Sequence, residues 1–163
     1  MPLNIFVRFN DEQSTDYGHI GDRVKYLPQN LFMPPRMTLD EAFRLYDVEY
    51  DGLVSFDPKF HTFQKKQFRE LSGGEARVAE MFIIIKSPSD FCILDEPFSN
   101  IAPIHVEKMQ SLIREEKANK GIIVSDHLYE AIIQVSDNLF LLRDGYTFTV
   151  RSREDLIRHG YIR

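Results

Sequence analysis

A five-residue string near the middle of the chain has the residue types of an anion-binding helix start. Residues 71–75 read Leu-Ser-Gly-Gly-Glu. Ser72, Gly73 and Gly74 open a predicted helix, where free backbone N–H groups and the positive end of the helix dipole attract phosphate. Two glycines let this backbone approach phosphate oxygens closely, and the serine adds a hydroxyl donor. The alternative is an ordinary N-cap with Glu75 as its capping-box partner, which leaves two consecutive glycines unexplained.

Two consecutive carboxylates follow an apolar stretch at residues 91–94. A buried parallel strand that ends in Asp95 and Glu96 would place both at the carboxyl edge of a sheet, where α/β proteins bind ligands. The first acid could hold Mg²⁺, directly or through water. The second could orient or deprotonate a water beside a reacting phosphate. The alternative is a solvated strand end without a chemical role.

Two further polar residues follow predicted strands. His127 follows residues 122–125, with Asp126 between them, and could donate a hydrogen bond to a γ-phosphate, although a lone histidine is more often structural. Gln29 follows residues 23–27, and its amide could contact a metal ion or a water at another strand end. Either residue alone would indicate little about the function of the protein.

The elements that must position these residues alternate between strands and helices. This alternation predicts an α/β fold with a mainly parallel sheet in one domain, residues 1–163. About residues 31–72 hold helices without good strands and are interpreted as a helical insertion, whereas residues 10–21 are predicted to be a loop. The remaining predictions are strands at 3–9, 23–27, 91–94 and 122–124, helices at 38–46, 57–67, 73–86, 103–119, 129–135 and 152–160, and a hairpin at 139–150.

Composition limits the possible classes of function. The chain has 163 residues and a net charge of −5, which argues against nonspecific nucleic-acid binding because that needs excess Lys and Arg. Its one cysteine, Cys92, lies in an apolar run and is expected to be a small core residue in a reducing compartment. The longest apolar run, residues 81–85, is far too short to span a membrane. Work at a membrane would require spanning helices from another polypeptide.

Four segments, in order, resemble those of an ABC-type ATPase. Residues 26–29 resemble the Q-loop, and residues 71–75 resemble the signature sequence. Residues 91–97 resemble Walker B with its catalytic glutamate, and residues 125–127 resemble the H-loop. The signature is specific, and the other three are modest singly. The chain resembles the nucleotide-binding subunit of an ABC transporter over about residues 3–150. The resemblance implies a P-loop NTPase-like (RecA-like) sheet with a helical ABC subdomain inserted.

The resemblance also implies an ATPase that uses ATP and Mg²⁺. Glu96 would polarise the attacking water and His127 would clamp the γ-phosphate, which makes them the catalytic pair. Asp95 would hold Mg²⁺. Gln29 would contact the metal and the nucleotide and link them to the helical insertion.

Partners follow from the same resemblance. Ser72, Gly73 and Gly74 would bind the γ-phosphate of ATP held by a second subunit, in a head-to-tail homodimer or a pair with another ABC subunit. A groove of the helical insertion would receive a helix of a membrane-spanning subunit. The protein would then be cytoplasmic, peripheral on the inner face of the membrane, with no nucleic-acid partner.

The chain departs from the family pattern in two places. No Gly-Lys dipeptide occurs, so the Walker A loop is not present in the sequence as given, and only 28 residues precede Gln29. We therefore expect the chain to lack an N-terminal part of the domain, to bind MgATP weakly by itself, and to leave apolar sheet surface uncovered. Ala102 occupies the position where the family usually has the D-loop aspartate.

Two alternatives remain beside the transporter subunit. A soluble ABC-type ATPase of DNA maintenance would carry long coiled coils between the Q-loop and the signature. Only 42 residues separate Gln29 from Ser72, without heptads, which disfavours that class. The other alternative is a non-catalytic, truncated fragment that acts only by pairing with another subunit.

Overall fold

Two short antiparallel strands precede the main sheet. The computed structural model describes residues 22–162 and, before them, the backbone of β1 (Val7–Phe9) and β2 (Glu12–Ser14), which pair with each other. The strand predicted over residues 3–9 is thus confirmed at β1, and the rest of it lies outside the described residues. The loop predicted over residues 10–21 is wrong at β2. Its residues are polar and acquire their strand conformation from pairing with β1, which local sequence does not indicate.

Three parallel strands form the main sheet. In chain order they are β3 (Val24–Leu27), β4 (Phe91–Asp95) and β5 (Gly121–Ser125). The spatial order is β3-β4-β5, so β4 is central, and Asp95 pairs with Ser125. The α/β fold with a mainly parallel sheet is therefore confirmed. The three strands end at one edge, which brings the residues after each of them together.

Helices occupy much of residues 31–72. In chain order they are α1 (Leu39–Leu45), α2 (Tyr50–Phe56) and the 3-10 turns Pro58–Thr62 and Phe68–Glu70. The capping box at Thr38 is confirmed, with Glu41 as its partner. The helix predicted over residues 57–67 is too long, because Asp57 caps a tight 3-10 turn that ends at Thr62. α2 was not predicted from the sequence, and the boundary of a separate helical subdomain stays a prediction.

The longest buried element is the helix α3 (Gly73–Lys86). Every residue from 76 to 85 is buried, which is typical of a helix surrounded by other elements on all sides. It packs against β3, β4 and the helices before and after it. Each fully buried isoleucine stabilises the fold by about 1.5–3 kcal/mol. The helix ends at Ser87, where Lys120 Nζ donates to the carbonyls of Ile85 and Ser87.

Aromatic rings join the helical region to α3. The ring of Phe82 stacks on Phe43 at 6.1 Å and meets the edge of Phe56 at 5.6 Å. Gly52 of α2 lies close to the same ring, since a Cβ at this position would be 3.2 Å from Phe82. Tyr50 contacts Phe43 edge to face at 5.0 Å. This aromatic cluster fixes the helical region against the helix that begins at the signature residues.

The last third of the chain adds helices and a hairpin. Its elements are α4 (Pro103–Glu116), α5 (Tyr129–Ile133), β6 (Leu139–Arg143), β7 (Tyr146–Val150) and α6 (Arg153–Arg158). β6 and β7 pair antiparallel, which confirms the predicted hairpin. Asp144 and Gly145 form its turn with φ of 53° and 80°, the left-handed geometry that favours these residue types. None of the described helices has the length and apolar character needed to cross a bilayer.

A cavity of about 740 Å³ lies along β5 and β6. Apolar residues of both strands line it, and Ile123 is 59% exposed. β5 is therefore not the fully buried strand that its apolar sequence predicts. The structure leaves apolar side chains of this sheet edge exposed, whereas the cause expected from the sequence, a missing N-terminal part, stays a prediction.

Candidate functional site

The carboxylate of Asp95 is held between the two neighbouring strands. Its Oδ1 accepts a hydrogen bond from Ser125 Oγ at 2.7 Å, and its Oδ2 accepts one from the Tyr26 hydroxyl at 3.2 Å. These bonds form because Tyr26 and Ser125 lie near the same ends of β3 and β5. Desolvation and then the hydrogen bond with Asp95 raise the pKa of the Tyr26 phenol. Asp95 therefore has a fixed orientation at the sheet edge.

Glu96 is the centre of a second group of contacts. Its Oε2 accepts a hydrogen bond from Gln29 Nε2 at 2.8 Å and one from Ser99 Oγ at 3.3 Å. Its Oε1 lies 2.9 Å from His127 Nε2, and the His127 side chain is 84% exposed. The structure thus brings together Gln29, Glu96 and His127, three residues singled out from the sequence, beside Asp95. Their chemical roles stay predictions.

The backbone of Glu96 has a φ of 45°, in the left-handed region that a glutamate rarely adopts. Its N–H donates to the Ser125 carbonyl at 2.7 Å. The next turn is held by Asp126, whose Oδ2 accepts the N–H of Phe98 at 3.0 Å. Strain of this kind costs on the order of 1–3 kcal/mol and clusters at functional sites. Asp126 was missed by sequence reasoning, although its position between a strand and His127 was the available signal.

The contacts of the signature residues are separate from those of Gln29, Glu96 and His127. Ser72 and Glu75 form the capping box of α3, and the side-chain hydrogen bond of Ser72 lies within that box. A Cβ on Gly74 would lie 3.2 Å from the carbonyl of Asn100, so close packing explains this glycine. A Cβ on Gly73 would meet nothing within 4 Å. The capping-box interpretation is therefore correct for Ser72 and Glu75, and the open backbone at Gly73 still suits an anion.

Two buried charged residues of α3 support the site and were not recognised from the sequence. Arg77, 3% exposed, donates to the carbonyl of Pro28 at 2.6 Å and to those of Asp95 and Glu96 at 2.8 and 3.0 Å. Desolvation lowers its pKa, and the attraction of nearby carboxylates, led by Glu80, opposes that change. The available signal was the position of charged residues within an otherwise apolar helix.

Glu80 lies one turn after Arg77 and is fully buried. Its Oε1 accepts the N–H groups of Phe32 and Met33, both at 2.9 Å. Burial raises the pKa of Glu80, and these two backbone hydrogen bonds oppose the rise. The chain segment that contains Gln29 is therefore attached to α3 at both of its ends.

The oxygen ligands at the sheet edge suit magnesium brought by a phosphate ligand. Among the described residues, no group of three or more His, Cys, Asp or Glu side chains forms a metal cage. Mg²⁺ commonly takes only one or two protein carboxylates together with substrate phosphates and water. Asp95 and the amide oxygen of Gln29 could supply such a set. The cavity along β5 reaches Asp95, Glu96 and His127, so these side chains are accessible to a ligand.

Together, the parallel sheet, the polar strand ends and the helical insertion define a P-loop NTPase-like domain of the ABC ATPase type. The solved structure of the ATP-binding subunit of an ABC transporter is similar to this chain, with a TM-score of 0.66 and 20% sequence identity. The similarity covers 86% of this chain and 63% of that chain. A dimeric ATP-binding cassette in a post-hydrolysis state, bound to ADP and Pi, has a TM-score of 0.70 and 15% identity, covering 90% of this chain and 74% of that chain. At these identities the likeness shows the fold.

Similar sequences indicate the family as well as the fold. The lipopolysaccharide export system ATP-binding protein of Acidithiobacillus ferridurans is 31% identical over 63% of this chain and 43% of its own length. An uncharacterized ABC transporter ATP-binding protein of Methanocaldococcus jannaschii is 30% identical over 90% of this chain and 60% of its own length. No family model matches the chain. The chain belongs to the ABC-type ATPases, and it spans about half of the length of the curated relatives it matches.

Proposed function

We propose that this chain is part of the ATP-binding and ATP-hydrolysing subunit of an ABC transporter, which powers transport through a separate membrane subunit. The observation that carries the proposal is the contact of Glu96 with both Gln29 and His127 at the ends of three parallel strands. The names of the two relatives above support the transporter class. In this function the protein works in the cytoplasm, peripherally on the inner face of the membrane.

The site geometry supports a division of roles. Glu96 is oriented by the Gln29 amide and by His127, so its carboxylate is fixed to polarise or deprotonate a water. His127, exposed beside it, would donate to the γ-phosphate. Asp95, fixed by Tyr26 and Ser125, would hold Mg²⁺ together with Gln29. When bound, Mg²⁺ neutralises charge on the phosphate oxygens.

A second subunit would complete the site. Ser72, Gly73 and Gly74 begin a 14-residue helix, and Gly73 leaves its backbone open to a ligand. Their contacts lie outside the Glu96 group, which supports an action on ATP held by a paired subunit. A dimeric ATP-binding cassette is among the proteins with this fold. The partner is a second copy of this chain or another ABC subunit.

Replacement of Glu96 tests the proposed hydrolysis. In the longest natural form of this protein, Glu96→Gln should retain MgATP binding and lower kcat by about 10²–10⁴-fold, because general-base catalysis contributes that much. Phosphate release measures turnover, and calorimetry measures binding. Glu107→Gln, at an exposed position of α4, is the matched control and should leave both unchanged. Unchanged turnover in Glu96→Gln would remove Glu96 from its proposed role.

A second candidate function is pairing without catalysis. The observation that favours it is the lack of any Gly-Lys dipeptide in the 163 residues, since a Walker A lysine is the usual contact to the β- and γ-phosphates. Under this candidate the 163-residue protein binds MgATP very weakly and still associates with an ABC subunit. Calorimetry that measures tight, Mg²⁺-dependent ATP binding by this protein would exclude it.

A further inference from the structure

Two buried charges on α3 hold opposite ends of one short segment. Arg77 donates to the Pro28 carbonyl at 2.6 Å, directly before Gln29. Glu80 accepts the N–H groups of Phe32 and Met33 at 2.9 Å, just after it. The segment of residues 28–33 is thereby attached to a rigid helix on both sides of the Gln29 side chain.

Arg77 also holds the backbone on the other side of the Gln29–Glu96 contact. Its Nη1 bonds to Pro28, and its Nη2 donates to the carbonyls of Asp95 and Glu96, at 2.8 and 3.0 Å. One guanidinium therefore bridges the ends of β3 and β4, and it does so where Glu96 adopts its left-handed conformation. The distance between the Gln29 amide and the Glu96 carboxylate depends on both attachments.

We infer that Arg77 and Glu80 are positioning residues that fix Gln29 against Glu96 by holding residues 28–33 and the Asp95–Glu96 backbone on α3. Because α3 begins at Ser72, the same helix connects this group to the signature residues. The functional consequence rests on the proposed ATP hydrolysis. The positioning itself is a structural property of the chain and can be measured without ATP.

The alternative is that the two charges serve only to complete the core. A core role predicts a loss of stability that spreads evenly through the protein. A positioning role predicts a local change at residues 28–33 and at Gln29. Ile83→Val is the matched control, because Ile83 is fully buried on the same helix and this substitution lowers stability without removing a polar contact.

The test uses hydrogen exchange and NMR on the 163-residue protein. In Glu80→Met, exchange of the Phe32 and Met33 amides should rise by about tenfold or more beyond the change in Ile83→Val, since the carboxyl oxygen that accepts both hydrogen bonds is lost. Glu80→Gln keeps a carbonyl acceptor and should restore most of the protection. In Arg77→Met, the side-chain amide resonances of Gln29 should shift, and Ile83→Val should leave them in place.

Arg77→Lys is the second variant, for the case in which Arg77→Met fails to fold. It keeps the positive charge, but lysine has one nitrogen where Arg77 uses two to reach the three carbonyls. It should also move the Gln29 resonances. Exchange at Phe32 and Met33 that rises no more than in Ile83→Val, or Gln29 resonances that stay fixed in every folded Arg77 variant, would overturn the inference. In a form that hydrolyses ATP, Glu80→Met should lower kcat more than it changes KM. Absence of hydrolysis would instead count against the proposed function, with the NMR result standing separately.

Discussion

The capping box of α3 should depend more on its glutamate than on its serine. Glu75 Oε2 accepts the Ser72 N–H at 2.8 Å, which is a short bond to a charged acceptor. In the other direction, Ser72 Oγ accepts the Glu75 N–H at 3.3 Å, beyond the usual range of such bonds. We therefore expect Glu75→Ala to destabilise the protein more than Ser72→Ala does, although the N-cap residue usually contributes most to such a motif.

The magnitudes follow from these distances. For Ser72→Ala, the long bond places the loss at the low end of N-cap substitutions, about 0.5 kcal/mol. For Glu75→Ala, a charge-assisted hydrogen bond of about 1.5 kcal/mol is removed. The partly exposed ion pair of Glu75 with Lys59 at 3.3 Å contributes a further ~0.5 kcal/mol or less. The free energy of unfolding should thus differ by roughly 1 kcal/mol between the two variants.

Urea unfolding followed by circular dichroism at pH 7 measures both variants. Glu107→Ala, which removes an exposed glutamate from α4, is the control and should change the unfolding free energy by no more than about 0.5 kcal/mol. A loss in Ser72→Ala equal to or larger than that in Glu75→Ala would refute the reasoning. If the expected order is found, Ser72→Ala is also a mild probe of anion binding, since it removes the hydroxyl and leaves α3 nearly intact.

Two other predictions concern pH and thiol chemistry. The Ser72 N–H, the Ser72 hydroxyl and Lys59 lower the pKa of Glu75 in the folded state. The contribution of Glu75 to the free energy of unfolding is therefore complete above the unfolded glutamate pKa of about 4.3 and is lost as pH falls through the folded pKa. The difference in unfolding free energy between the native chain and Glu75→Gln should therefore shrink on acidification, in urea titrations from pH 7 to pH 3; a constant difference would contradict this. Burial raises the pKa of Cys92 to about 12, so a disulfide reagent at pH 8 should label the folded protein at least ~100-fold more slowly than the urea-unfolded protein. Equal rates would mean that the thiol is accessible in the folded state.

The sheet edge could be predicted because its signals are local. Each strand is a short stretch rich in apolar residues, and the polar site residues follow within two positions, as in Leu94 followed by Asp95 and Glu96. Parallel strands must end at a common edge, so the meeting of Gln29, Glu96 and His127 follows from topology. The capping boxes of α1 and α3 are equally local, because each depends on residues three positions apart.

What could not be predicted depends on partners distant in sequence. β2 has a polar sequence and becomes a strand through pairing with β1. α2 packs on Phe82, thirty residues after Gly52, and its own sequence carries no capping signal. Arg77 and Glu80 were not recognised from the sequence, because their partners are backbone groups of other segments.

The left-handed backbone of Glu96 depends both on its local sequence position and on contacts with distant segments. A glycine would adopt a φ of 45° with less strain, but it would have no carboxylate to meet Gln29 and His127. The strain is offset by fixed contacts: the Glu96 N–H bonds to the Ser125 carbonyl, and the Glu96 carbonyl bonds to Arg77. The fold therefore holds an acidic residue in a conformation that its residue type disfavours, at the point where three strand ends meet. Strained residues cluster at functional sites, so the left-handed backbone of Glu96 supports the proposal that its carboxylate acts on a ligand.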